Sequence, residues 1–287
     1  MWLKKWIAIG LVGVMALGIV GCASYKNDNN SVGTITISGS SALLPLAKLA
    51  GKHFKTHYPD VSLTVNGGGS GTGLKQVFDG SVTIGNSDVA AEDKLAKEQA
   101  AQLVDHKVAV VTMATVGNKK VVDVVKSLTK EQLKGIFTGT IKNWKEVGGP
   151  DVPVTLISRP TTSGTKVLFE KYALDGTKEA RNKSLETDDS GALIQIIADN
   201  EGAIGYVAMS YLGRNPKVVP LAVEGVLPSL ENTYNGSYPV WGYEHMYTKG
   251  EPTGVVKAYL DYVVSDEFGK ELEALGYGVT SKMKVAR

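Results

Sequence analysis

The sequence predicts an α/β protein, and three observations carry that prediction. Short β-branched runs alternate with segments of helical periodicity from residue 34 onward. Three of these runs break into loops of Ser, Gly and Thr that open directly onto an amphipathic helix. The single cysteine, Cys22, lies ahead of this region, so the 287-residue chain has to hold itself together through a buried core without internal disulfides.

The first strand falls at residues 34–38, and after it Leu43, Leu44, Leu46, Ala47, Ala50 and Phe54 recur at helical spacing. A second strand is expected at 61–65, a helix from about Gly73, and a short strand at 83–85 that runs into Asn86, Ser87 and Asp88. Residues 108–115 form a strongly apolar strand suited to crossing between lobes, and a polar loop is expected at 117–120. Beyond it lie a helix near 130–136, a turn at 148–151 and a strand at 154–158. A helix follows Asp188, Asp189 and Ser190, and 203–207 reads as another strand. Residues 238–248 are aromatic and β-like, and 255–275 read as one or two closing helices; there is no internal repeat.

The three joints are TITISGSSALLPLA (34–47), LTVNGGGSGTGLKQVF (63–78) and VTLISRPTTSGTKVLFEKY (154–172). The first turn of a helix leaves N–H groups without partners, and the helix dipole places partial positive charge there, so each joint offers a seat for an anion. Ordinary capping by Ser and Thr accounts for any one of them. Their recurrence points to an oxyanion pocket. The middle joint carries more bare backbone than a cap requires, and the third adds Arg159, a permanent fork of donors suited to tetrahedral oxyanions.

Other chemistries lack their motifs. Gly68 and Gly73 have the separation of a nucleotide-binding P-loop, but Leu74 stands where that loop needs Lys. No Gly-x-Gly-x-x-Gly fingerprint supports a dinucleotide cofactor. Ser70 has Gly68 on one side but Thr72 on the other, and Ser163 lies between Thr161 and Thr165, so neither forms a nucleophile elbow. The four histidines lie away from these loops in sequence; no catalytic triad is predicted. His53 and His57 lack the Glu of a His-Glu-x-x-His site and read as a solvated helix face, not metal ligands. Trp144, Trp241 and Tyr243 read as core or lobe-surface aromatics. Asp188, Asp189 and Ser190 read first as a helix start, with an anion contact from Ser190 as a second reading.

Asp88 is the most diagnostic residue if it lines the pocket, the competing role being a turn or cap after its strand. A carboxylate facing an oxyanion repels it unless one of the two carries a proton. Monohydrogen phosphate carries one near neutral pH and sulfate does not, so Asp88 as acceptor favours phosphate over sulfate.

At the N-terminus, Lys4 and Lys5 precede an apolar stretch over residues 6–20 that ends in Ile19, Val20, Gly21 and Cys22. This looks like a bacterial lipobox, with residues 1–21 as signal peptide and Cys22 as the lipidated residue. The stretch is short for a membrane-spanning helix. Residues 22–32 then make a lipidated cysteine and polar tether. Losing Lys4 and Lys5 reduces the formal charge of +2 to an even balance. A nucleic-acid binder would show a basic excess; here any anion must be held by local donors.

The stretches SGSSALLPLA, GGGSGTGLKQ, IGNSDVA, LTKEQLKGIFTGTIKNWKEVGG, SRPTTSGTKVLFE and EGAIGYVAMSYL, in this order, resemble the phosphate-binding proteins of bacterial phosphate ABC importers. The resemblance spans nearly the whole mature chain. It implies a two-lobed type II periplasmic-binding-protein fold, with residues 33–112 plus 239–287 as lobe 1 and 113–238 as lobe 2. It also implies phosphate contacts from the Ser41 hydroxyl, the Ser41 and Ala42 amides and Ser70, with Ser40 adjacent and Asp88 accepting the phosphate proton. Arg159, Ser163, Gly164 and Thr165 complete the cage from the other lobe. Two departures are visible: many relatives carry Phe where this chain has Ala42, and the returning segment reads YPVWGYEHMYT where relatives often carry Tyr-Pro followed shortly by Arg.

The implied function is capture of inorganic phosphate outside the cytoplasmic membrane and delivery to an ABC permease and its ATPase. The implied protein is a lipid-anchored monomer without cofactor, metal, enzymatic activity or nucleic-acid partner. A receptor for another tetrahedral anion, a secreted phosphatase or esterase using Ser70 or Ser163, and an adhesin or sensory role are the alternatives.

Overall fold

The computed structural model describes residues 32–180 and 184–287. The signal segment, Cys22 and residues 23–31 of the tether lie outside the described residues.

Along the chain, β1 (Gly33–Gly39), α1 (Leu44–His57), β2 (Val61–Asn66), α2 (Ser70–Phe78) and β3 (Ile84–Ser87) lead through α3 (Lys97–Ala100) into the long β4 (Leu103–Asn118). There follow α4 (Lys119–Val125), β5 (Ser127–Leu128), α5 (Lys130–Thr138), β6 (Thr155–Ser158), α6 (Gly164–Tyr172), β7 (Ser184–Glu186) and α7 (Ser190–Asp199). The chain closes with β8 (Ala203–Ala208), β9 (Val218–Pro220), β10 (Ala222–Val223), α8 (Leu230–Tyr234), β11 (Trp241–Lys249), α9 (Gly254–Val263) and α10 (Asp266–Ala274).

The main sheet runs β2-β1-β3-β11-β4-β8-β6-β7, with β9 also on β4. It is a mixed α/β architecture, as the sequence predicts. β1 is parallel to both β2 and β3, so helices make the crossovers. Pro45 lies in the first turn of α1, where a missing N–H breaks no helical bond. A Cβ on Gly73 would lie 2.6 Å from the Gly39 Cα and 2.5 Å from the Ser38 carbonyl. Glycine there lets α2 rest directly on the ends of β1 and β3.

β4 joins two halves of this sheet. Residues 103–112 pair antiparallel with β11, whereas 113–118 pair with β8 and β9. Each half has its own core. Ile35, Leu46, Phe54, Tyr259 and Phe268 pack together on one side, and Phe137, Trp144, Phe169, Leu193 and Tyr206 on the other. β4 supplies Val108 and Ala109 to the first and Met113, Ala114 and Val116 to the second. That double burial explains its near-continuous apolar run.

Several boundaries differ from the sequence expectation; β4, for one, runs over Leu103–Asn118 where the sequence predicts 108–115. The polar loop at 117–120 is instead the end of β4 and the start of α4. Asn118 is buried there: its Oδ1 accepts from the Lys120 amide at 3.1 Å and its Nδ2 donates to the Ile197 carbonyl at 3.0 Å, so a polar residue is satisfied inside. α2 begins at Ser70, because packing against β1 and β3 overrides the poor helix propensity of its glycines. β3 extends to Ser87, which delivers Asp88 to the sheet's edge of loops.

Candidate anion-binding site

Four helices begin at one place. Ser40 and Ser41 precede α1, Ser70 opens α2, Gly164 and Thr165 open α6, and Ser190 opens α7; all six are buried. Asp88 lies among them and is 2% exposed. Its amide donates to the Ser70 hydroxyl at 3.0 Å, and its carboxylate accepts from the Ser40 and Thr165 hydroxyls, the latter at 2.8 Å. Ser40 also accepts from the Leu43 amide at 3.1 Å, just ahead of α1, so one hydroxyl both takes a backbone N–H and donates to the acid. A Cβ on Gly164 would lie 2.8 Å from the Ser70 Cβ, so glycine lets α6 close onto α2.

Arg159, at the end of β6, is fully buried. Its Nη1 donates to the Asp188 carbonyl at 3.2 Å, and its Nη2 to the Ser190 hydroxyl at 3.1 Å and the Tyr206 carbonyl at 3.0 Å. All three acceptors are neutral, and Nε meets no acceptor among the described residues. A buried guanidinium without a hydrogen-bonded carboxylate is costly, and the arrangement calls for an anion.

Ser41 turns its hydroxyl to the Asp188 carbonyl at 2.7 Å and the Ser190 hydroxyl at 3.0 Å. The carbonyl of Ser41 accepts from Tyr211 at 2.8 Å, and that of Ala42 from Tyr277 at 2.5 Å. Ser163 caps α6 by accepting from the Lys166 amide at 3.4 Å. All nine residues expected at the site therefore lie in one buried cluster that draws on both halves of the sheet. Further bonds tie the halves together. The Gly71 amide donates to the Thr162 carbonyl at 2.9 Å, and Lys94 Nζ to the carbonyls of Thr161 and Ser163 at 2.7 and 2.9 Å.

Burial dominates the electrostatics. It pushes the Asp188 carboxyl up against the opposing pull of Arg159, and pulls the Lys94 ammonium down although Asp88 and Asp188 lie near. Sequence reasoning ranked Ser190 behind a plain helix start. Asp189 is indeed the cap, accepting from the Ala192 amide at 2.7 Å, yet the Ser190 hydroxyl also reaches Arg159 and Ser41. The signal was a fourth strand-loop-helix joint, β7 into α7. Tyr206, Tyr211 and Lys94 were missed because their contacts are long-range. His57 pairs with Glu267 at 3.5 Å, and no cluster among the described residues is arranged to hold a metal. Trp144 is core, its indole donating to the Gly202 carbonyl at 2.9 Å.

A sequence model of the PBP superfamily domain matches residues 26–267. The chain belongs to the PBP superfamily. Within that superfamily it is 49% identical over 265 residues to the phosphate-binding protein PstS of Bacillus subtilis, covering 92% of this chain and 86% of that protein. A structure from Clostridium perfringens, assigned as a phosphate ABC transporter substrate-binding protein and solved with bound phosphate, superposes with a TM-score of 0.77 at 33% identity. The match covers 88% of this chain and all of that one. An ABC-type phosphate transport receptor from Vibrio cholerae shares the PBP fold, with a TM-score of 0.66 at 24% identity over 85% of this chain and 99% of the other.

Proposed function

We propose that this chain binds inorganic phosphate between the two halves joined by β4 and hands it to a phosphate ABC permease. The observation that carries the reading is Arg159: a fully buried cation whose hydrogen bonds all go to neutral groups, within a ring of hydroxyls and helix N-termini. Asp88 selects among anions. A buried carboxylate in the same cage rejects a fully deprotonated oxyanion and accepts one that brings its own proton. The names of the B. subtilis and C. perfringens relatives agree with this choice.

In this reading Ser40, Ser41, Ser70, Ser163 and Thr165 supply hydroxyls, and the amides of Ser41, Ala42 and Gly164 supply N–H groups. Residues 33–112 with 239–287 act as one lobe and 113–238 as the other. Each lobe alone presents part of the cage, so bound phosphate favours the closed state through its extra contacts. Cys22 carries the lipid that holds the chain, as a monomer, on the outer face of the membrane. No helix among the described residues is long and apolar enough to cross it. The serines serve as donors, not nucleophiles.

Calorimetric titration of the ligand-stripped chain tests the reading. Saturable one-to-one binding of phosphate, undisturbed by excess sulfate and without hydrolysis of a chromogenic phosphate ester, supports it. Equal binding of sulfate, or turnover of the ester, overturns it.

A further inference from the structure

Behind Asp88 lies a second carboxyl group. Glu244 is fully buried on β11, and neither of its carboxylate oxygens meets a hydrogen-bond donor among the described residues. β11 runs antiparallel to β3 with His245 opposite Ser87, so extending that register by one position places Glu244 next to Asp88. The register of β11 against β4 shifts between Glu244 and His245, a bulge of the kind that redirects a side chain. Burial, followed by the nearby charge of Asp88, pushes the Glu244 carboxyl well above the ordinary range.

Two neighbouring carboxyl groups in a dry site resist ionising together; the favourable arrangement leaves a proton on one that it donates to the other. The donors decide which one does. Asp88 accepts from Ser40 and Thr165, which stabilise its anion, whereas Glu244 has no donor to stabilise its own. We propose that Glu244 stays protonated and donates to Asp88, acting as a positioning residue that fixes the direction in which Asp88 accepts the proton of the bound anion. The role in binding rests on the phosphate reading; the protonated pair does not.

Asp188 and Tyr211 also lie within range of the Asp88 charge. Tyr277 faces Glu244 from the segment after α10, and Glu244 is the first charged neighbour raising its phenol. His245, the next residue on β11, pairs with Asp105 on β4 at 2.7 Å. Lys94 bridges the halves and loses its proton more readily than a free lysine, so it weakens alkaline binding in native and variant chains alike.

Infrared spectroscopy and calorimetry on the full chain test the proposal. Without ligand at neutral pH, the native minus Glu244→Gln difference should contain a buried carboxylic-acid carbonyl stretch; a carboxylate band in its place overturns the proton assignment. In titrations with inorganic phosphate at neutral pH, Glu244→Gln, whose amide still donates, should bind within about threefold of native, and Glu244→Leu about tenfold or more weaker. In alkaline buffer the native chain should lose more affinity than Glu244→Gln, since only the native residue can ionise against Asp88. Equal losses in the two amide and leucine variants at neutral pH, or superimposable native and Glu244→Gln pH profiles, overturn the positioning role. If the native chain binds no phosphate at any pH while the acid band is present, the phosphate reading and the positioning role fall and the protonated pair stands.

Discussion

Thr165 donates its hydroxyl hydrogen to Asp88 across 2.8 Å, and this single bond joins the first turn of α6 in one half of the sheet to the loop after β3 in the other. The Asp88 carboxylate is thus held by both halves. Under the proposed function, closure and selectivity share one atom pair. The same economy applies to Ser190, which touches Arg159 from its own half and Ser41 from the opposite one.

Replacing Asp88 by Asn turns the acceptor into a group that also donates. The expected outcome is a loss of discrimination: sulfate competes with phosphate in calorimetric titration of Asp88→Asn and not of the native chain. Retained exclusion of sulfate would remove Asp88 from the role of selector.

Arg159→Ala deletes a buried cation that donates to the Ser190 hydroxyl, and leaves the carbonyls of Asp188 and Tyr206 without its donors. Phosphate affinity should fall by about 2 to 4 kcal/mol, read by titration against native chain. Arg159→Lys should recover part of the charge and little of the fork geometry.

Gly164→Ala places a methyl 2.8 Å from the Ser70 Cβ and 3.1 Å from the Asp88 Cβ. Both neighbours belong to the opposite half, so the strain falls on closure and spares each half's core. Phosphate should bind about tenfold or more weakly, while the melting temperature of the ligand-free chain changes little.

Glu179 is buried beside the site, accepting from Ser158 and lying 3.4 Å from Lys166, and burial raises its carboxyl above the ordinary glutamate range. A carboxyl raised on folding binds more protons in the folded state than in the unfolded one. Its contribution to stability is therefore complete at low pH and lost as pH rises through the folded value. Thermal melts from about pH 4.5 upward should show a declining component in the native chain that Glu179→Gln lacks.

Much of this site is legible in the chain because anion binding by helix N-termini is a local device. Ser41, Ser70 and Ser163 each sit at a strand-loop-helix joint, and Arg159 directly follows the strand before one of them. Such features appear as a few adjacent letters. What the letters hide depends on contacts between distant segments. The register that sets β11 beside β3 brings Glu244 to Asp88, and the packing of β8 on β6 brings the Tyr206 carbonyl to Arg159. Boundaries follow the same division. Thr129 and Gln132 form a reciprocal cap and Gly139 closes the same helix in a left-handed turn, so α5 is readable at both ends. The start of α2 is not, because its glycines are helical only through packing against the sheet.

The most direct test of the central claim is a crystal structure of the chain with phosphate bound. The account predicts the anion against Arg159, with hydroxyls from Ser41, Ser70 and Thr165 and one bond to the Asp88 carboxylate through the phosphate's own proton. Phosphate seated elsewhere, or within the cage without contact to Asp88, would contradict it.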